Sequence, residues 1–309
     1  MYPNISCSIV EVEICFNLMF TRILTRPFRQ SRNMCILFVY NGAEDIKSDY
    51  SLILISNRDE FYNRRTKSMD LWSLNPVTVG GRDLEVEDAG TWLAVSPTHK
   101  KIGVLLNLLG IKLENTNINS RGKIVADYVK SNEPVQNYVD SLKTDTKKYN
   151  GFVFIAVEFG DSTPAIYSYS NWTDQLQLHN ETYLGFGNCL PQAPLKKVEA
   201  GREQLADVCK RFNKATDEKE LVENLIALLK SEKRHLPDPQ LETTRPKLFE
   251  QLSSVYVCIP QERYGTRTHT IVLLNKCGIL TITEITQTMP IDPTTPQWET
   301  KTFSYNIYK

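Results

Sequence analysis

Six polar residues draw notice by their positions: Cys35, Arg58, Asp59, Asn107, Asn188 and Arg267. Cys35 follows Met34 at the head of an apolar run to Tyr40. Arg58 and Asp59 belong to Asn57-Arg58-Asp59-Glu60, which closes the apolar run from Ser51 to Ser56. Asn107 closes the run that starts at Gly103. Asn188 follows Gly185-Phe186-Gly187, and Arg267 lies in Tyr264-Gly265-Thr266-Arg267-Thr268, two residues before His269. Each stands at or near the end of an apolar run, where strand ends can converge on one pocket. A guanidinium near a thiol favours the thiolate. Amide donors aimed at a developing oxyanion assist acyl transfer. Plainer readings stand beside these. Cys35 can be a buried strand cysteine, acting as a small hydrophobe. The Asn57–Glu60 stretch can be a turn with a structural ion pair, and Asn107 and Asn188 can be caps.

Other chemistries have little to stand on. There is no phosphate loop; Leu190 occupies the place of a third glycine after Gly185 and Gly187. No G-x-S-x-G elbow occurs. His99, His179, His235 and His269 share no metal spacing, and the seven cysteines contain no C-x-x-C pair, so no metal site is expected. Scattered cysteines in odd number read as reduced thiols of an intracellular protein. Lys plus Arg and Asp plus Glu are 36 each. That balance gives no basic footprint for nucleic acid. No apolar stretch is long enough to span a membrane.

The elements that must position these residues read as strands, then helices, then strands. Cys35–Tyr40 and Ser51–Ser56 form a hairpin around the polar segment Asn41–Asp49, and Thr91–Ser96 with Ile102–Asn107 form a second. A helix capped by Ser120 runs to about Lys130, and another occupies Glu133–Leu142. Gly151–Glu158 and Ala165–Tyr169 are strands. A helix from Pro194 to Phe212 opens with proline in its first turn. The next, capped by Thr216, carries Leu221, Leu225, Leu228 and Leu229 at helical spacing. Leu236–Pro246 reads as a loop. Val255–Pro260, Thr270–Asn275, Ile279–Thr286 and Trp298–Ile307 complete the chain as strands. The expected architecture is α+β, two sheets with helices packed outside.

Residues 1–33 differ from the rest of the chain. Arg22, Arg26, Arg29 and Arg32 fall in a stretch without acids, preceded by a short apolar run. A secretory signal has the opposite order. These residues are expected to be a disordered or dispensable leader, with a single domain from 34 to 309.

Eight segments carry a family resemblance. They are Met34-Cys-Ile-Leu-Phe, Ser56-Asn-Arg-Asp-Glu-Phe-Tyr62, Gly90-Thr-Trp-Leu93, Ser120-Arg-Gly122, Tyr149-Asn-Gly-Phe152, Leu236-Pro-Asp-Pro239, Tyr264-Gly-Thr-Arg267 and Trp298-Glu-Thr300. In that order they resemble the transport and Golgi organisation 2 family, the NRDE-domain proteins, over residues 34–309. The layout is also similar, more weakly, to penicillin V acylases and bile salt hydrolases. That second resemblance implies a four-layer αββα sandwich of the N-terminal-nucleophile-hydrolase type. It implies Cys35 as nucleophile, Arg58 as its electrostatic partner and Asp59 as its orienting carboxylate. Asn107 and Asn188 become oxyanion donors, and Arg267 steadies the site. An N-terminal amine would serve as base for the thiol, which residues ahead of Cys35 would prevent.

The family is linked to Golgi organisation and secretion, to mitochondrial and lipid metabolism, and to haem movement. It therefore implies a soluble, cytoplasmic haem-trafficking carrier or chaperone, with mitochondrial or Golgi association. No cofactor is required; haem, or acyl-coenzyme A, is a small amphipathic cargo. Its carboxylates would meet Arg58, Arg267 and nearby groups, so Cys35, Asn57, Arg58, Glu60, Arg267 and His269 form the expected ligand set. Membrane contact would be transient. Two alternatives stay open: a cysteine-dependent amidohydrolase or acyltransferase, and an acyl-coenzyme A or lipid binder without turnover.

Overall fold

The computed structural model describes residues 34–308, except 86–89, 110–118, 146–147 and 161–162. The expected leader, residues 1–33, lies outside the described residues. So does Lys309.

Two antiparallel sheets form the body. The first contains β1 (Ile36–Asn41), β2 (Tyr50–Phe61), β10 (Tyr183–Phe186), β11 (Cys258–Ile259), β12 (Tyr264–Asn275), β13 (Ile279–Gln287) and β14 (Trp298–Asn306). Its order is β10-β1-β2-β12-β13-β14, with β11 pairing β12. The second contains β3 (Thr66–Leu74), β4 (Val77–Asp83), β5 (Leu93–Ser96), β6 (Lys101–Asn107), β7 (Phe152–Phe159), β8 (Pro164–Ser170) and β9 (Gln175–His179), in sequential order. Four longer helices flank them: α1 (Gly122–Lys130), α2 (Val135–Lys143), α3 (Lys196–Arg211) and α4 (Glu218–Leu229). Two short ones come after, α5 (Pro239–Thr244) and α6 (Phe249–Leu252).

Strand alternation divides the interior into three cores. On β1 and β2, Ile36, Phe38, Ile53 and Ile55 meet the Leu221, Leu225, Leu228 and Leu229 stripe of α4 and Val198 and Leu205 of α3. The intervening Leu37, Val39, Leu52 and Leu54 point the other way, onto Val104, Leu106, Val153 and Ile155 of the second sheet. The outer face of that sheet, with Phe152 and Phe154, packs on Ile124, Val125 and Tyr128 of α1 and Val139 of α2. The period of two makes this partition all-or-none, since a one-residue slip would exchange the two faces. Each leucine of the α4 stripe is worth roughly 1.5–3 kcal/mol of transfer free energy. Gly201 lets α3 lie close on β1: a Cβ there would stand 2.1 Å from the Phe38 ring. Among the described residues, no helix is long and apolar enough to cross a membrane.

Several elements depart from the sequence expectations. β3, β4, β9 and β10 were not anticipated; Asn75-Pro76 and Gly80-Gly81 resemble turn residues, and β9 alternates glutamine with leucine in a largely exposed strand. The expected Leu236–Pro246 loop contains α5, whose first turn holds Pro239 and whose Leu241 N–H donates to Asp238 at 3.0 Å. The Ser120 and Thr216 caps are replaced: α1 starts after Arg121 and α4 after Asp217, neither with a side-chain cap bond. Helix α3 starts at Lys196, so Pro194 precedes it instead of opening its first turn. Only Cys258–Ile259 of the expected Val255–Pro260 strand pairs. β2 runs on to Phe61 and β12 starts at Tyr264, so Asn57–Glu60 and Arg267 lie inside strands, not beyond their ends.

Candidate functional site

Strand register gathers the first set of residues. β1 pairs β2 with Ile36 opposite Asn57, and β10 with Leu37 opposite Phe186. Carried on to the strand ends, these registers put Cys35 between Arg58 and Asn188. Cys35 shares the core between the sheets with Leu37 and Val39. Its Sγ lies 3.9 Å from the Asp59 carbonyl oxygen. Burial, then the Asp59 charge, push its thiol up to about 12, with Arg58 acting in the opposite direction. The resting group is therefore a thiol. Asn188 reaches the second sheet: its Nδ2 donates to the Asn107 carbonyl at 2.5 Å, while its buried Oδ1 has no partner among the described residues. Asn107 thus contributes its backbone oxygen to this contact.

Arg58 lies flat over Trp92, its Cζ 4.2 Å from the ring centroid, and 3.6 Å from Glu60 Oε2. Arg64 approaches the same Glu60 oxygen at 3.5 Å and pairs with Asp83 at 2.6 Å. Arg267 stands at a register shift between Thr266 and Thr268. One of its terminal nitrogens donates to the Phe61 and Arg64 carbonyls at 2.9 and 2.7 Å; its buried Nε has no partner among the described residues. Burial, then the neighbouring Arg58 charge, depress its guanidinium to about 9. Burial and Arg64 likewise lower Arg121 to about 10, and Arg121 donates to the Gly151 carbonyl at 2.9 Å. Four guanidiniums thus share one neighbourhood with Glu60 and Asp83. Glu284 is a third acid nearby: burial raises its carboxyl to about 7, although Met69 N–H donates to it at 2.6 Å and Arg58 favours its charge.

The alternate residues of β2 face the helices. Asn57 Nδ2 donates to the Leu229 and Val255 carbonyls at 2.8 and 3.0 Å, and its Oδ1 lies 2.6 Å from His269 Nδ1. With both amide protons spent, Oδ1 is the acceptor, so His269 carries its proton on Nδ1. Burial depresses His269 to about 3, and its ring stacks on Trp298. Asn57 and His269 therefore tie strands to the helix layer, apart from the Arg58 side. Asp59 is fully buried with them. Its Oδ1 accepts from Thr266 at 2.7 Å, and its Oδ2 has no partner among the described residues. Burial raises Asp59 to about 7 against the opposing charge of Lys197.

Lys197, Arg64, Arg121 and Glu284 were missed from the sequence. Lys196-Lys197 at a helix start reads as solvated charge, yet only Lys197 faces inward, with 1% exposure. Arg64 lies two residues past the Ser56–Tyr62 segment and Arg121 is the centre of Ser120-Arg-Gly122, which was the available signal. Among the described residues, no three His, Cys, Asp or Glu side chains gather as a metal site. A surface cavity of about 300 Å³ between α3 and α4, lined by residues including Gln204, Arg211 and Asn224, shares no residue with this site.

Comparison with known proteins agrees with the segments that carry the site. The sequence profile described as Transport and Golgi organisation 2 matches residues 34–289. Transport and Golgi organization protein 2 of Drosophila melanogaster is 37% identical over 269 residues, covering 84% of this chain and 94% of its own. The Mus musculus homolog is 33% identical over 281 residues, covering 89% and 99%. The Homo sapiens homolog is 31% identical over the same length and coverage. Residues 34–289 thus carry the profile that defines the Transport and Golgi organisation 2 family, and this chain belongs to it.

Proposed function

We propose that this protein is a haem-trafficking carrier or chaperone, holding an amphipathic anion where the sheets meet around Arg58 and Arg267. The relatives' names supply the tie to transport and Golgi organisation. The observation that carries the ligand class is the surplus of guanidiniums. Arg58, Arg64, Arg121 and Arg267 share one region with three acids, Glu60, Asp83 and Glu284, and the buried Arg267 Nε has no partner among the described residues. Confined guanidiniums repel one another, and a carboxylate or phosphate would relieve that. Haem supplies two carboxylates on an apolar ring. Cys35 would be its axial ligand in this reading, a role open to cysteine. The fold assignment that goes with it is the N-terminal-nucleophile-hydrolase sandwich, supported by the helix–sheet–sheet–helix succession of cores. The test is anaerobic titration of the purified chain with haem, beside acyl-coenzyme A and lipid vesicles. Saturable binding of haem, with a spectrum altered by Cys35→Ala, is the expected result. Preference for acyl-coenzyme A would replace haem by that cargo, and no binding of either would sink the carrier.

A second reading, a cysteine amidohydrolase or acyltransferase, is favoured by the row Arg58, Cys35, Asn188. An acyl group found on Cys35 by intact mass, after incubation with an N-acyl amide or a thioester, would establish it over the carrier.

A further inference from the structure

Behind Cys35, on the helix side of the first sheet, lies a set of buried polar groups that neither reading uses. Lys197 on α3 is enclosed, and its Nζ donates to the Ser254 carbonyl at 3.1 Å. An ammonium has three donors; this is its one hydrogen bond among the described residues. Asp59 Oδ2 is fully buried with no partner among the described residues, and neither has the Tyr264 hydroxyl, also buried. These groups are mutually close: Lys197 feels the charges of Asp59 and Cys35, and Tyr264 is pushed up by burial and then by the same two. A lysine taken out of water without a direct carboxylate contact is costly to keep charged. Burial accordingly lowers its affinity for its proton, and Asp59 opposes that.

We propose that Lys197 is a positioning residue for the Cys35 thiol, forming with Asp59 the buried pair that takes up the thiol proton. On ionisation the Sγ–H bond breaks, the electron pair stays on sulfur, and the proton passes to Asp59 Oδ2, beside the Lys197 ammonium. The thiolate then faces Lys197 on one side and Arg58 on the other. The remaining titratable neighbours are Glu60, which opposes the thiolate, and Tyr264, with Cys189 and Asp238 on the far side of Lys197. Such an arrangement gives the thiol proton a destination without a free α-amine next to it. The inference rests on the second reading only in taking Cys35 as the reactive atom. Thiol ionisation is measured without any acyl donor, so absence of turnover would count against that reading and leave this one standing.

The experiment is alkylation of Cys35 by iodoacetamide in the full chain, followed by peptide mass across a pH series. An S–C bond forms and iodide leaves, so the rate follows the thiolate fraction. Lys197→Met should slow the reaction about tenfold near neutrality, the effect of raising the thiol's midpoint by about one pH unit. Lys197→Arg should restore most of that, and Arg58→Met is the comparison. An unchanged rate in Lys197→Met, whether or not Arg58→Met changes it, overturns the proposal. Should Lys197→Met fail to fold, competitive acetylation of Lys197 in the unsubstituted chain and in Asp59→Asn decides instead. Loss of the carboxylate should lower the Lys197 midpoint; identical midpoints would overturn the proposal equally.

Discussion

Arg58 packs against an indole and stands 3.6 Å from a carboxylate, yet among the described residues it donates no hydrogen bond. Its donors are therefore available to an incoming anion, whereas the terminal nitrogens of Arg267 are spent on the Phe61 and Arg64 carbonyls and on the Thr66 and Met289 side chains. Arg58→Met should weaken binding of an anionic ligand by tenfold or more, as expected for one lost charge-assisted bond, and leave the melting temperature within a few degrees. Equal affinity by calorimetry would remove Arg58 from the ligand site. Glu284 permits a sharper statement. Its carboxyl is raised from an ordinary 4.5 to about 7, so the folded protein binds its proton more tightly than the unfolded chain. The stability this contributes is fully present below about 4.5 and is lost as pH rises through about 7. Glu284→Gln keeps an acceptor for Met69 N–H and removes the charge. Above neutrality it should stabilise by on the order of 3 kcal/mol, with a flatter pH profile. Denaturant melts giving the same pH slope with and without Glu284 would refute this. Burial decides such values, and burial is what sequence shows least. Arg58 and Asp59 are neighbours in one short motif, but the pleat sends them to different layers.

At the scale of elements, the helix layer is bound to the first sheet by polar bonds as well as by leucines. Asn57 joins β2 to the last residue of α4, to Val255 and to His269 of β12. Asn57→Ala would leave three buried groups without that partner. A loss of about 3 kcal/mol or more is expected, about what Leu225→Ala should cost through its cavity. Urea unfolding of the two variants checks both, and a loss under about 1 kcal/mol for Asn57→Ala would show that the bonds are dispensable. The leucine stripe of α4 was legible because a period of 3.6 survives without knowledge of the partner. β3 and β4 were not, because Pro76, Gly80 and Gly81 imitate turns, and partly exposed antiparallel strands need no continuous apolar run. The extension of β2 through Asn57–Glu60 was hidden for a related reason. Four consecutive polar residues look like a turn until each is seen to have a buried partner.

For the molecule as a whole, the family profile begins at residue 34, and the three cores draw their described members from Met34 onward. A chain starting at Met34 should melt within about 2 °C of the full chain, a shift of about 1 kcal/mol at most for a domain this large. A drop of ten degrees by scanning calorimetry would mean that the preceding residues belong to the core. The layered α+β architecture was legible from the alternation of strand and helix signals. The neighbourhood of Arg58 and Arg267 was legible only in part, since the two come together by register between strands far apart in the chain. One short stretch, residues 253–257, has a further consequence. Through Ser254, Val255 and Val257 it bonds Lys197, Asn57 and Thr266, and Thr266 in turn bonds Asp59. These attachments use main-chain groups, so side-chain replacements there leave them intact. An inserted or deleted residue would misalign all three together. This stretch should therefore tolerate changes of residue type that keep Val255 and Val257 apolar, while its length stays fixed, as a spacer would.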